Sequence, residues 1–200
     1  SHLSIRSWLP PKPWDHYEAI GQLIQDVKRQ FNHLSLSLSV DMLVQHQMDS
    51  WLKELKAFIK NHPLASVRVQ DIGVLQHLHT DIACIYDAQM GHANTVAVQT
   101  VNQFAHRQCL SMDVPYGDIC DIQQASQAAL EIVVHGRICI QYSQRRFLAG
   151  LADDASNTAA LAQYHQLAED EAYPGRRFTF LDNQHGHFMF AYFDRSLCHD

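Results

Sequence analysis

Ser66-Val-Arg-Val-Gln-Asp-Ile-Gly-Val-Leu-Gln-His-Leu78, followed by Asp81-Ile-Ala-Cys-Ile-Tyr86, is the stretch that decides the fold. Residues 66–70 read as a short strand. Asp71-Ile72-Gly73 is a turn that opens a brief helix through Leu78, and residues 81–86 read as the next strand. Strand and helix in alternation is the signature of a parallel sheet.

The same rhythm extends outward. Upstream, Asp15 with Glu18 three residues on is a capping box. Tyr17, Ile20, Leu23, Ile24, Val27 and Phe31 then recur at helical period. Leu34, Leu36 and Leu38 alternate with serines in a strand over 34–40. A helix over 45–61 carries the stripe Met48, Trp51, Leu52, Leu55, Phe58 and Ile59, and Pro63 lies just past its end. Downstream, a helix over 94–106 has Val96, Val101 and Phe104 as inward positions. A strand over 108–112, a helix over 115–127 with Pro115 near its first turn, and a β-branched strand over 130–135 ending at Gly136 complete the series.

The predicted class is therefore α/β: five parallel strands with helices between them, either doubly wound or bent toward a partial or modified TIM-like barrel. A full barrel takes ~250 residues, and the pattern opens on a helix instead of a strand. After Gly136 the rhythm breaks. Residues 159–172 read as a helix, and strands over 178–181 and 188–193 flank a turn at 182–187 as a β-hairpin. This divides the chain into a barrel-like region, 1–136, and a hairpin-bearing region, 137–200.

Composition bounds the function classes. The 200 residues are 46% hydrophobic and 18% charged, with a net charge of −6, so the chain is globular. A chain this size buries roughly 70% of its unfolded surface and needs no disulfide or metal to fold. The acidic balance argues against duplex nucleic acid, which requires a basic face. No apolar run approaches the ~18 residues of a membrane span, and residues 1–13 lack a secretory signal pattern. The five cysteines are scattered without a CxxC pair, as expected of reduced thiols in a cytoplasmic protein.

Candidate site residues come from the ends of strands, where α/β proteins bind ligands. His135 closes the 130–135 strand and is read as a proton carrier or substrate contact, the alternative being a tie between strand and loop. Asp41, Asp71, Gln89 and Asp113 also follow strands. With His135 they could line one polar pocket, Asp113 as the acid–base partner, the others as binding groups. Capping and turn closure is the competing reading for the aspartates. Arg145, within a basic group that includes Arg137, Arg146, Arg176 and Arg177, could bind a carboxylate or phosphate, against the alternative of solvated charge. His77 with His79, and His185 with His187, have the spacing of a zinc pair but lack a third ligand at zinc spacing.

Glu131-Ile-Val-Val-His-Gly-Arg-Ile-Cys-Ile-Gln-Tyr-Ser143 resembles the signature of the collagenase-like peptidase family U32: His135, Gly136, Cys139, Tyr142 and Ser143 match. Collinear, weaker matches lie upstream: Arg6, a loop at Asp41 (where the family has Asn), Asp71 with Gly73, Gln89 with Asn94, and Asp113 (where the family usually has Glu). The resemblance spans about Arg6 to Cys198. It implies that a first strand–helix unit before this sequence and further strands after it are missing, and that a protein partner or second copy completes the barrel.

Several members of the family hold a four-iron–four-sulfur cluster on four cysteine thiolates. The resemblance puts the first at Cys139 and the other three at Arg146, Leu161 and His165. Leucine and arginine offer no lone pair to iron, so the expectation is a chain with no cofactor. Some members are called peptidases; others support oxygen-independent hydroxylation of RNA bases or a quinone precursor. Two functions follow as expectations: a cluster-free binding or accessory subunit taking a small molecule or peptide, or a cluster-independent hydrolase using His135 and nearby carboxylates.

Overall fold

A computed structural model describes residues 2–7, 17–40, 48–87, 91–143, 165–169, 171–172, 174–175, 177–183 and 186–196. Contacts divide the chain into two units, Ser1–Ile132 and Val133–Asp200.

The first unit alternates strand and helix throughout: β1 (His2–Ser7), α1 (Tyr17–Gln30), β2 (Ser35–Val40), α2 (Met48–Asn61), β3 (Ser66–Val69), α3 (Ile72–Leu78), β4 (Cys84–Tyr86), α4 (Thr95–Val101), β5 (Arg107–Cys109), α5 (Tyr116–Ala125) and β6 (Ala129–Glu131). Its strands form one sheet in the order β1-β2-β3-β4-β5-β6, parallel at every pairing. The expectation of an opening helix is corrected by β1. Leu3 and Ile5 alternate with polar residues there, a period of two that the prolines just after it obscure.

One face of the sheet carries the core. Leu36, Leu38, Val40, Val67, Val69 and Cys84 are buried against residues of α1 to α4, such as Ile24, Leu55, Leu75 and Val101. A second cluster joins Val98, Leu110, Val114 and Ile122, with Leu130 of β6 on the same face. All five helices therefore cover one side. Sequential strand order with one-sided helices differs from a doubly wound sheet, which reverses its order and is covered on both sides, and is compatible with a barrel segment.

Three predicted inward positions face outward. Leu23 and Phe31 are 48% and 46% exposed, and the α1 stripe narrows to Ile24 with Tyr17, Ile20 and Val27 partly buried. Val96 is 71% exposed, because Val98 and Val101 fix the inward side of α4 and a residue two away lies ~200° round the helix.

The second unit is an antiparallel sheet of β7 (His135–Ser143), β8 (His165–Glu169), β9 (Arg177–Asn183) and β10 (Gly186–Ser196), in the order β7-β10-β9-β8. The hairpin stands as β9–β10, with Asn183 opposite Gly186. Two expectations fail. Residues 165–169, read as helical, form β8 against β9, cross-strand pairing prevailing over local helix propensity; residues 159–164 lie outside the described residues. The run at 130–135 is not one strand: β6 ends at Glu131, and His135 opens β7, opposite Ser196. Gly136 there has a φ of 133°, in the region that favours glycine.

Candidate binding site on the inner face of the parallel sheet

Side chains alternate between faces along a strand, so the residues between the core positions share the side away from the helices. Register groups them into rows. Ser37 and Ser66 pair in one row. Ser39, Arg68, Ile85 and Arg107 pair in the next. Asp87 follows β4 directly, and Cys109 and Glu131 end β5 and β6 opposite each other. This face carries hydroxyl and charged side chains where the opposite one is apolar.

The charges form one network. Arg68 donates from Nη1 to Asp87 Oδ2 at 3.1 Å and from Nη2 to Glu131 Oε2 at 2.5 Å. Arg107 donates from Nη1 to the other oxygen, Glu131 Oε1, at 3.0 Å. Beneath it the Ser37 and Ser66 hydroxyls hydrogen-bond each other. Burial alone would lower the Arg68 pKa, but its bond to Glu131 and the charges of Asp87 and Glu131 outweigh it and raise it. Burial alone would raise the Glu131 carboxyl, but the two guanidiniums hold it below the usual glutamate value. The Cys109 thiol is pushed up to about 12, first by burial and then by the charge of Asp87, and so stays protonated. The face is a fixed, ionised, hydrogen-bonding surface.

The predicted site residues fall elsewhere. Asp71 is the N-cap of α3, accepting from Gly73 N–H at 2.8 Å and Val74 N–H at 3.0 Å. Asp113 is exposed in the loop between β5 and α5, its backbone N–H donating to Ser111 Oγ at 3.4 Å. His135 is exposed and belongs to the second unit; it heads an antiparallel strand instead of closing a parallel one. Asp41, Gln89 and Arg145 lie outside the described residues. Asn94 caps α4 by accepting from Ala97 N–H at 2.9 Å. His77 is exposed, and His79 packs edge-on against Phe104. Among the described residues no group of three His, Cys, Asp or Glu could hold a metal ion. Cys84 lies in the core facing the helices and Cys109 on the opposite face, so these two thiols do not converge.

Sequence reading missed Arg68, Asp87, Arg107 and Glu131. The available signal was a polar residue at every second place of a short strand, as in Ser66-Val67-Arg68-Val69.

No helix among the described residues is long and apolar enough to cross a membrane. No curated protein and no solved structure matches the chain significantly. The profile of peptidase family U32 matches residues 16–199, nearly the whole sequence, and the chain belongs to that family.

Proposed function

We propose that this protein is a cluster-free member of peptidase family U32 that works as a binding or accessory subunit, with the polar inner face of its parallel sheet as the binding surface. The observation that carries the reading is the residue set Arg146, Leu161 and His165, standing at the positions that the resemblance gives to three of four cluster cysteines. Thiolates suit iron–sulfur clusters, whereas arginine and leucine supply no ligand. The separation of Cys84 and Cys109 onto opposite faces of the sheet supports it, since neither compensates for the other. A Glu131 carboxylate held ionised between two arginines also suits recognition better than proton transfer at neutral pH, where a catalytic group works best with a pKa near that of its medium. A protein partner or a second copy would pair along the outer strands of the sheet, β1 and β6.

The test is anaerobic purification followed by iron and acid-labile sulfide analysis and visible spectroscopy. The expected product is colourless and free of both. A brown protein carrying stoichiometric iron and sulfide overturns the reading. Incubation of the same preparation with gelatin, with and without chelator, addresses the alternative: cleavage abolished by His135→Ala would make the protein a hydrolase.

A further inference from the structure

His92 fastens the segment entering α4 to β5. Its ring is buried, and its Nε2 hydrogen-bonds Gln108 Oε1. Gln108 stands between Arg107 and Cys109, so its side chain lies on the helix side of β5. There its amide nitrogen donates to Val98 O and Asn102 Oδ1, which leaves the oxygen as the acceptor and puts the proton on His92 Nε2. The His92 carbonyl accepts from the Ser111 N–H at 3.0 Å. Two residues on, Asn94 caps α4 through the Ala97 N–H. One side chain therefore holds residues 92–94 against the end of β5, at the edge where Asp87 and Cys109 complete the polar face.

The surroundings suit a neutral imidazole. Tyr86 of β4 meets the ring edge-on at 5.2 Å. Gln108 is uncharged, and α4 carries no charged residue. The acidic side chains on the flanking segments are committed or remote: Asp71 caps α3, Asp87 is paired with Arg68, and Asp113 is exposed. None of them is among the influences on His92, which are burial and the Gln108 bond; burial is the larger and lowers its pKa. A second proton would leave an imidazolium enclosed without a counter-charge, a state that a buried group avoids by staying neutral or by reaching water.

We propose that His92 is an acid-released latch: when its ring takes a second proton it leaves Gln108, and residues 92–94 come away from the end of β5 with it. Release frees the Ser111 N–H and the Asn94 cap, while the apolar packing of Val98, Leu110 and Ile122 keeps α4 and α5 in place. The device stands apart from the reading of the polar face, and neither iron content nor gelatin cleavage bears on it.

The experiment is amide hydrogen exchange of the full-length protein, followed residue by residue by NMR at about pH 7 and about pH 5.5 and corrected for the intrinsic rate at each pH. The amides read are Ser111 and Ala97, with Leu75, bonded to Asp71 O in α3, as the reference. With the ordinary histidine value of 6.5 in the released state, protonation raises the opening constant by up to about eightfold over this range. Ser111 and Ala97 should lose several-fold more protection than Leu75. His92→Gln, which cannot take up the proton, should lose no more at Ser111 and Ala97 than at Leu75. Nor should Gln108→Glu, whose carboxylate faces the ring and holds it when charged. Should a variant fail to fold, the ring titration of His92 in the parent decides, since it should coincide with the loss of Ser111 protection. Unchanged protection of Ser111 and Ala97 in the parent, an equal loss in folded His92→Gln or Gln108→Glu, or a ring that titrates without loss at Ser111 overturns the proposal.

Discussion

Arg68 on β3 and Glu131 on β6 hydrogen-bond at 2.5 Å although β4 and β5 lie between their strands. Neighbouring strands sit ~4.8 Å apart, and side chains stand roughly perpendicular to a sheet. A flat sheet would hold these two groups well apart, so the contact requires the sheet to curl toward its polar side. The ion pair is thus a clasp across the inner face as well as a part of the candidate site. Replacing Arg68 by Met leaves two little-exposed carboxylates, Asp87 and Glu131, short of their shared partner. Such a change costs about 3–5 kcal/mol. Adding Asp87→Asn recovers a large share, because the carboxylate left without its guanidinium is gone while Glu131 keeps Arg107. Urea unfolding of the single and double variants measures both; a single-variant loss under about 1 kcal/mol would show the clasp to be solvated.

Much of the first unit was legible because its core positions are local and periodic. The helical stripe of α2, the alternating leucines of β2 and the turn at Asp71 each sit in a window of a few residues. The charge network was not legible, for a physical reason. Arg68 and Glu131 are 63 positions apart in sequence, and nothing local says which strands will curl together. The run from Leu130 to Val134 misled in the opposite way. Its β-branched residues fit a strand, but the chain leaves the parallel sheet after Glu131 and His135 pairs with Ser196 in another sheet. That pairing moved the residue read as the catalytic imidazole out of the unit holding Asp71 and Asp113.

Gly21 in α1 has a steric role. A Cβ there would collide with Nε2 of His62. That ring cannot easily retreat, because its Nδ1 bonds Phe58 O at 2.8 Å and its face stacks on Phe58. Gly21→Ala should therefore destabilise, overpacking of about 1–3 kcal/mol outweighing a helix-propensity gain of up to about 1 kcal/mol. In a His62→Ala background the collision is gone, and the same substitution should stabilise by the propensity gain. Thermal unfolding of the four proteins in this cycle tests it; the same sign in both backgrounds refutes the steric account.

Asp71 offers a cleaner separation of structural from functional roles. As an N-cap it satisfies two backbone donors of α3. Asp71→Ala should cost about 1 kcal/mol, and Asp71→Ser, which still caps, should restore most of it. Thermal unfolding of the parent and the two variants checks this, and an Asp71→Ser variant no more stable than Asp71→Ala would show that capping is not what this side chain contributes.

His92 predicts how stability depends on pH. It is 2% exposed, and its Nε2 lies 2.5 Å from Gln108 Oε1. The Gln108 amide already donates to Val98 O and Asn102 Oδ1, so its oxygen is the acceptor and His92 Nε2 carries the proton. Burial lowers the His92 pKa, only partly offset by the bond to Gln108. With the folded value depressed, the unfolded chain binds the proton first as pH falls. The contribution is complete above the ordinary histidine value of 6.5 and is lost as pH drops from there through the folded value. Glu131 has the same sign in a lower window, its contribution complete above the ordinary 4.5 and lost on further acidification. Unfolding free energy measured between pH 7 and 5 (about the histidine range) should therefore fall in the parent and fall less steeply in His92→Gln. With 14 histidines in the chain, the difference between the two slopes is the informative quantity, and parallel slopes would mean that His92 titrates alike folded and unfolded.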